Sequence, residues 1–123
     1  MPLRYGLIGE RLGHSLSVPI HEAIFRCLGL EAEYRLLPTA REDLGRLVPR
    51  LLEELDGFNI TIPYKRAVLP WLARLDALAD GVGAVNTVRC RDRMGFNTDA
   101  AGFQAMLRRR GLDPRGRPCW ILG

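Results

Sequence analysis

The sequence predicts an α/β fold: a three-layer α/β/α domain built on a mostly parallel, mixed sheet that contains one antiparallel hairpin. Strand-like and helix-like apolar patterns alternate from residue 3 to residue 62, as in parallel sheets covered by helices. Two strand-like segments, 84–90 and 94–97, then follow each other with only Arg91–Arg93 between them, which indicates a hairpin. With 123 residues and 47% apolar content, the chain is long enough to form one core.

The first strand and the first helix are predicted from residues 3 to 28. Leu3–Gly9 (LRYGLIG) has the composition of a buried strand, and a polar loop follows it. Ser17 is expected to cap the next helix, with Pro19 in its first turn and Gly29 at its end. Five apolar residues at helical spacing predict its core-facing side: Ile20, Ala23, Ile24, Cys27 and Leu28.

The second strand and second helix follow in the same way. Glu33–Pro38 is predicted to be a strand, and Thr39 with Glu42 matches a capping box. Pro49 is expected to break the helix into two short pieces. Its apolar face would consist of Leu44, Leu47, Val48, Leu51, Leu52 and Leu55.

The segment Gly57–Lys65 (GFNITIPYK) predicts a strand that Pro63 ends, since proline has no N–H to donate to a neighbouring strand. A helix disturbed by Pro70 is expected over residues 65–75. Asn59, Thr61 and Lys65 would lie near the carboxyl end of the strand, where ligands bind in open α/β sheets. From this segment alone, a site for a small polyhydroxylated molecule and a core strand followed by a solvated lysine both remain open.

The remaining elements end in a linker. Residues 76–83 predict a short helical turn, and Thr98 is expected to cap a helix over residues 99–110. Pro114–Pro118 has the composition of a linker, and Cys119–Gly123 (CWILG) starts a further apolar strand. We therefore predict one domain over residues 1–113 and a linker with an incomplete strand over residues 114–123.

Composition excludes several classes of protein. No apolar run approaches the ~20 residues of a membrane helix, and no signal peptide is visible. The three cysteines, Cys27, Cys90 and Cys119, are scattered and lack metal spacing, which suits a reducing cytoplasm without disulfides. The net charge of +4 is spread along the chain without interleaved aromatic residues, so we expect no nucleic-acid partner.

Four motifs occur together in one order and spacing. They are HSLS from His14 to Ser17, GFNITIPYK, GAVNTV at residues 83–88 and GFNTDAAG at residues 95–102. In this combination the sequence resembles the shikimate dehydrogenase family, and the match is to its substrate-binding domain.

The resemblance implies an activity and a set of site residues. The activity is NADP-dependent interconversion of 3-dehydroshikimate and shikimate in chorismate biosynthesis. Lys65 and Asp99 would form the catalytic pair, and Ser15 with Ser17 would bind the substrate carboxylate. Thr61, Asn86 and Asp99 match the positions that bind ring hydroxyls, whereas Asn59, His14 and His21 are expected to support the site.

Two nearby charges would change the pKa of Lys65 in opposite directions. The positive end of a helix after Pro63 would lower the Lys65 pKa, whereas an ionised Asp99 nearby would oppose that change. The alternative for the pair is a structural salt bridge, and the alternative for Ser17 is a helix cap alone. We expect no metal site.

The sequence departs from the family pattern around the serines. Arg11 and Val18 stand where proline is usual, and Glu22 stands where asparagine or glutamine is common. These departures leave open whether the substrate is shikimate, quinate or an amino analogue. The absence of a cofactor domain from these 123 residues leaves open a non-catalytic ligand-binding or interaction domain of the same fold.

The end of the sequence corresponds to the start of the family's cofactor domain. By resemblance, Cys119–Gly123 would open a Rossmann domain, with Gly123 beginning its phosphate loop, and the rest of that domain is missing from these 123 residues. We therefore expect no bound cofactor and no turnover by this polypeptide alone. Self-association into a homo-oligomer is compatible with the sequence.

Overall fold

A computed structural model describes residues 1–122; Gly123, predicted to begin the phosphate loop, lies outside the described residues. The fold is a six-stranded mixed sheet with helices on both faces, as the sequence predicts. Its strands are β1 (Leu3–Gly9), β2 (Ala32–Pro38), β3 (Gly57–Ile60), β4 (Arg74–Leu75), β5 (Thr87–Arg89) and β6 (Met94–Phe96). Its helices are α1 (Ser17–Leu28), α2 (Leu44–Glu54), α3 (Ala77–Val82) and α4 (Thr98–Arg109).

The sheet has the order β2-β1-β3-β5-β6-β4, and only β5 runs against its neighbours. The predicted hairpin is β5–β6, joined by the turn Cys90–Asp92, and Arg93 adopts a left-handed conformation at its end. Because β5 is antiparallel, its amino end lies at the same edge of the sheet as the carboxyl ends of β1, β3 and β6.

Successive residues of β1 supply the two halves of the core. Ile8 packs with Val48 and Leu51 of α2, whereas Leu7 packs with Phe25 of α1 and Tyr34 of β2. This alternation is the period-two geometry of a strand covered by helices on both faces. Helix α2 therefore lies on one face of the sheet and α1 on the other.

Helix α1 buries a different face from the one predicted. Phe25 is its buried residue, and its ring stacks on Tyr5 with centroids 5.6 Å apart. Most of the predicted apolar side is exposed, since Ile20, Ile24 and Leu28 are 52%, 45% and 65% accessible. Aromatic contacts with the sheet therefore decide how α1 is rotated, and they outweigh the aliphatic stripe.

The caps predicted for the first two helices are wrong. Ser17 is the first residue of α1 and makes no capping bond, and the Thr39 hydroxyl donates to the Leu37 carbonyl instead of capping. A 3₁₀ turn, Arg41–Asp43, leads into α2, which continues through Pro49 without a break. Pro49 lies in the second turn, so the helix loses one early N–H···O bond while its buried leucines hold it against the sheet.

The helix predicted over residues 65–75 is absent. The chain instead forms turns from Ile62 to Val68, a 3₁₀ helix at Leu69–Trp71 and the short strand β4. Tyr64, at the start of this segment, is fully buried, and its hydroxyl donates to the Thr39 carbonyl over 2.6 Å. This anchor ties the turns after β3 to the loop after β2, and Pro70 lies within the 3₁₀ helix that follows.

The last helix begins at a different cap. Asn97 is its N-cap, with Oδ1 accepting from the Ala100 N–H over 2.9 Å, and Thr98 is the first helical residue. Residues 113–122 form no strand or helix, and Trp120, Ile121 and Leu122 are exposed. The domain boundary near Asp113 stays a prediction. Among the described residues, no helix is both long and apolar enough to cross a membrane.

Candidate active site

A cavity of about 560 Å³ opens at the edge of the sheet where β1, β3 and β6 end and β5 begins. The structure brings all six predicted site residues to the wall of this cavity, although they come from separate segments of the chain. They are Ser15, Ser17, Thr61, Lys65, Asn86 and Asp99.

The serine loop forms one end of the cavity. The Ser15 hydroxyl donates to Ser17 Oγ over 3.0 Å and accepts from the Ser17 N–H over 3.2 Å. Ser15 thus supplies the bond to the start of α1 that was expected from the Ser17 side chain. The two hydroxyls therefore lie side by side in the wall of the cavity.

The loop after β3 lines the cavity with Thr61 and Lys65. The Thr61 N–H donates to the Ile8 carbonyl over 2.9 Å, which continues the pairing with β1 for one residue beyond β3. Gly9 is required here, because a Cβ at that position would lie 2.5 Å from Thr61 Cγ2. The Lys65 carbonyl accepts from the Val85 N–H over 2.8 Å, which fixes the backbone of the lysine beside the entry to β5.

Lys65 and Asp99, which both line the cavity, contact each other. The Lys65 amine donates to Asp99 Oδ2 over 2.6 Å, with side-chain exposures of 33% and 60%. Asp99 lies in the first turn of α4, where the helix dipole favours a carboxylate. No α-helix begins at Lys65, so the helix-dipole argument made from the sequence for this residue is wrong.

Asn86 is held between β3 and α4. Its Nδ2 donates to the Thr98 hydroxyl over 2.7 Å, and its Oδ1 accepts from the Thr98 N–H over 2.8 Å and from the Thr87 hydroxyl over 3.0 Å. The amide is 9% exposed. The Asn86 Oδ1 already accepts two hydrogen bonds, and Nδ2 donates one of its two hydrogens to Thr98. The second hydrogen of Nδ2 is therefore left for a ligand.

These bonds belong to a longer series that crosses the sheet. The Tyr34 hydroxyl donates to Asn59 Oδ1 over 2.7 Å, and Asn59 Nδ2 donates to the Thr87 hydroxyl over 3.0 Å. We call the series Tyr34–Asn59–Thr87–Asn86–Thr98 the cross-sheet chain. The Thr87 hydroxyl in its interior accepts from one amide and donates to the other, so the orientation of both amides is set.

Sequence reasoning missed Tyr34 and Thr87. Burial raises the pKa of the Tyr34 phenol to about 12, against an opposing effect of the Ser17 hydroxyl, so the phenol stays protonated and donates at neutral pH. His21 stacks on Tyr34 with ring centroids 3.9 Å apart, and its Nδ1 donates to the Ser17 carbonyl. A tyrosine within a buried strand was the available signal, because a buried phenol needs a hydrogen-bond partner.

Two kinds of binding motif are absent from the described residues. Residues 1–122 contain no group of three histidine, cysteine or acidic side chains that could hold a metal ion. Within the same residues, no glycine-rich loop joins a strand to the start of a helix in the pattern that holds a pyrophosphate. The cavity suits a small polar molecule with an anionic group and hydroxyls.

Comparison with known proteins identifies the family. The model of the shikimate dehydrogenase substrate binding domain matches residues 7–88. The chain belongs to this family. The resemblance seen in the four motifs is thereby confirmed, and so is the fold that it implies.

Relatives and solved structures agree with the family model. The NADP-dependent shikimate dehydrogenase of Clostridium beijerinckii is 40% identical over 122 residues, which is 97% of this chain and 45% of that protein. Shikimate dehydrogenase 1 of Peptoclostridium difficile has a TM-score of 0.83 at 33% identity, over 93% of this chain and 43% of that one. Shikimate 5-dehydrogenase of Thermus thermophilus, in complex with shikimate, has a TM-score of 0.81 at 36% identity, over 93% and 45%. This chain therefore spans less than half the length of these relatives.

Proposed function

We propose that this chain is the substrate-binding part of an NADP-dependent shikimate dehydrogenase, which interconverts 3-dehydroshikimate and shikimate. The observation that carries the proposal is the Lys65–Asp99 contact of 2.6 Å in the wall of a cavity that hydroxyl and amide donors also line. A lysine paired with a carboxylate beside such donors can hold a ring alcohol and exchange its proton.

The proposed roles follow the chemistry of each group. Ser15 and Ser17, at the start of α1, bind the substrate carboxylate through hydroxyl and backbone donors. Thr61, Asn86 and Asp99 bind the ring hydroxyls. Asp99 accepts from a hydroxyl and holds the Lys65 amine in place at the same time.

Lys65 is the proposed acid and base. In the direction of reduction, its ammonium donates a proton to the carbonyl oxygen as that oxygen becomes an alkoxide, and in oxidation its neutral amine takes the proton back. The bound NADP(H) supplies or accepts the hydride when it is present. The residues described here bind the substrate and move the proton, and no cofactor contact is assigned to them.

Steady-state kinetics with the protein at its full natural length tests the proposal. The expected result is NADPH formation from shikimate and NADP⁺, together with saturable binding of shikimate. Absence of both would overturn it, and binding without turnover would favour the alternative of a non-catalytic ligand-binding domain. The expectation that residues 1–123 alone do not turn over substrate stays a prediction, which the same assay on that polypeptide tests.

A further inference from the structure

Arg11 lines the site cavity and lies four residues before Ser15 in the same loop. It is exposed, and it makes no ion pair and no side-chain hydrogen bond among the described residues. The family pattern has proline here, so neither the resemblance nor the roles proposed above use this side chain.

The serine pair alone offers little to an anion. The two serine hydroxyls are hydrogen-bonded to each other over 3.0 Å, so one of their two protons is engaged within the pair and the other is left for a ligand. Pro19, in the first turn of α1, has no N–H and removes one of the donors that a helix start usually presents. A carboxylate bound to the serines therefore needs a further donor or a counter-charge.

Arg11 is the permanent cation of the cavity that no carboxylate of the described residues pairs with, which makes it the candidate for that counter-charge. Arg11, Lys65, Asp99 and the histidines 14 and 21 line the cavity. The Lys65 amine is paired with Asp99 over 2.6 Å, so their charges largely compensate each other. His21 donates through Nδ1 to the Ser17 carbonyl and stacks on Tyr34. The Arg11 guanidinium is a permanent cation whose planar donors match a carboxylate.

We infer that Arg11 binds the substrate carboxylate together with Ser15 and Ser17, and so selects for anionic ring substrates. This inference rests on the proposed function and adds to it a residue that determines substrate charge. The carboxylate carries the same charge throughout the reaction. Arg11 therefore contributes equally to substrate and transition state, and its loss raises KM without lowering kcat.

A comparison of charged and neutral ligands tests the inference. Shikimate and its methyl ester are titrated against the wild-type protein at full natural length and against Arg11→Ala, Arg11→Lys and the control Arg109→Ala. Arg109 is exposed near the end of α4 and does not line the cavity, so this control removes the same charge elsewhere.

Arg11→Ala is expected to weaken shikimate binding about tenfold, with an unchanged kcat, and to change methyl shikimate binding less than about twofold. Arg11→Lys should give an intermediate loss, and added salt should weaken shikimate binding by wild type more than by Arg11→Ala. Circular dichroism verifies that each variant is folded.

Two results separate this inference from the proposed function. If wild type binds shikimate but Arg11→Ala behaves like Arg109→Ala, or loses acid and ester equally, Arg11 has no role in charge selection and the inference is overturned alone. If wild type binds neither compound, the proposed function fails and the inference fails with it.

Discussion

The Lys65 amine donates to Asp99 Oδ2 over 2.6 Å, although the two residues are 34 positions apart in the sequence. One follows β3 in a turn, and the other lies in the first turn of α4 after the β5–β6 hairpin. Their contact lies at the site edge of the sheet. With exposures of 33% and 60%, the pair contributes little to stability, which is consistent with a functional role.

Replacing Lys65 tests its role as acid and base. Lys65→Ala should lower kcat by about 10²–10⁴-fold while KM changes little, since proton transfer matters only in the transition state. The measurement is steady-state kinetics with shikimate in the full-length protein. Arg66→Ala, which removes the neighbouring exposed charge, should stay near wild type. A normal kcat with a raised KM in Lys65→Ala would demote Lys65 to a binding residue.

Replacing Thr87 tests whether the cross-sheet chain positions the site amides. Thr87→Val keeps the β-branched shape but removes both the acceptor for Asn59 and the donor to Asn86, so kcat/KM should fall about tenfold. Thr87→Ser keeps the hydroxyl and should recover activity to within about twofold. The side-chain amide signal of Asn86 in NMR should shift in the valine variant alone. Equal activity of the two variants would contradict a positioning role.

Replacing Gly57 tests how closely the backbones of β3 and β5 pack. A Cβ at this position would lie 2.8 Å from the Val88 carbonyl oxygen, which is backbone and cannot rotate away. Gly57→Ala should therefore lower the free energy of unfolding by about 1–3 kcal/mol in urea denaturation. Gly81→Ala is the matched control, because its Cβ meets nothing within 4 Å inside α3. It should be neutral or stabilising by about 0.5–1 kcal/mol.

The cysteines should differ in reactivity with pH. Burial, and secondarily the charge of Asp56, raises the pKa of the Cys90 thiol to about 12, so Cys90 carries almost no thiolate at pH 8. Cys27 and Cys119 are exposed. Iodoacetamide at pH 8 should modify these two first, and Cys90 only in denaturant, as mass spectrometry would show. Labelling of native Cys90 at the rate of Cys27 would mean that this part of the core opens readily.

Local sequence signals predicted the elements that depend on a regular apolar pattern or on residues close together in the sequence. The bounds of β1 are those predicted from LRYGLIG, and the β5–β6 hairpin follows from two strand patterns separated by Arg91–Arg93. Gly29 ends α1 in a left-handed conformation, as its position indicates. In these cases the backbone preference and the apolar pattern favour the same structure.

Other features depend on partners that the sequence does not place. The rotation of α1 depends on Tyr5 and Tyr34, which lie on two different strands beneath Phe25 and His21. The turn after β3 depends on the Thr39 carbonyl, 25 positions before Tyr64. The site residues were found through the family motifs, whereas Tyr34, Thr87 and the orientation of both amides follow from hydrogen bonds across the sheet.

The antiparallel course of β5 constrains where the length of this protein can vary. The chain leaves the site edge at Asn86 and runs along β5 to the opposite edge of the sheet. It turns there at Cys90–Asp92 and returns along β6 to the site edge at Thr98. Residues added or removed in that distant turn leave the Asn86–Thr98 contacts in place, whereas a change within either strand shifts the register between them. Insertions and deletions among related sequences should therefore occur at the turn and be absent from the two strands.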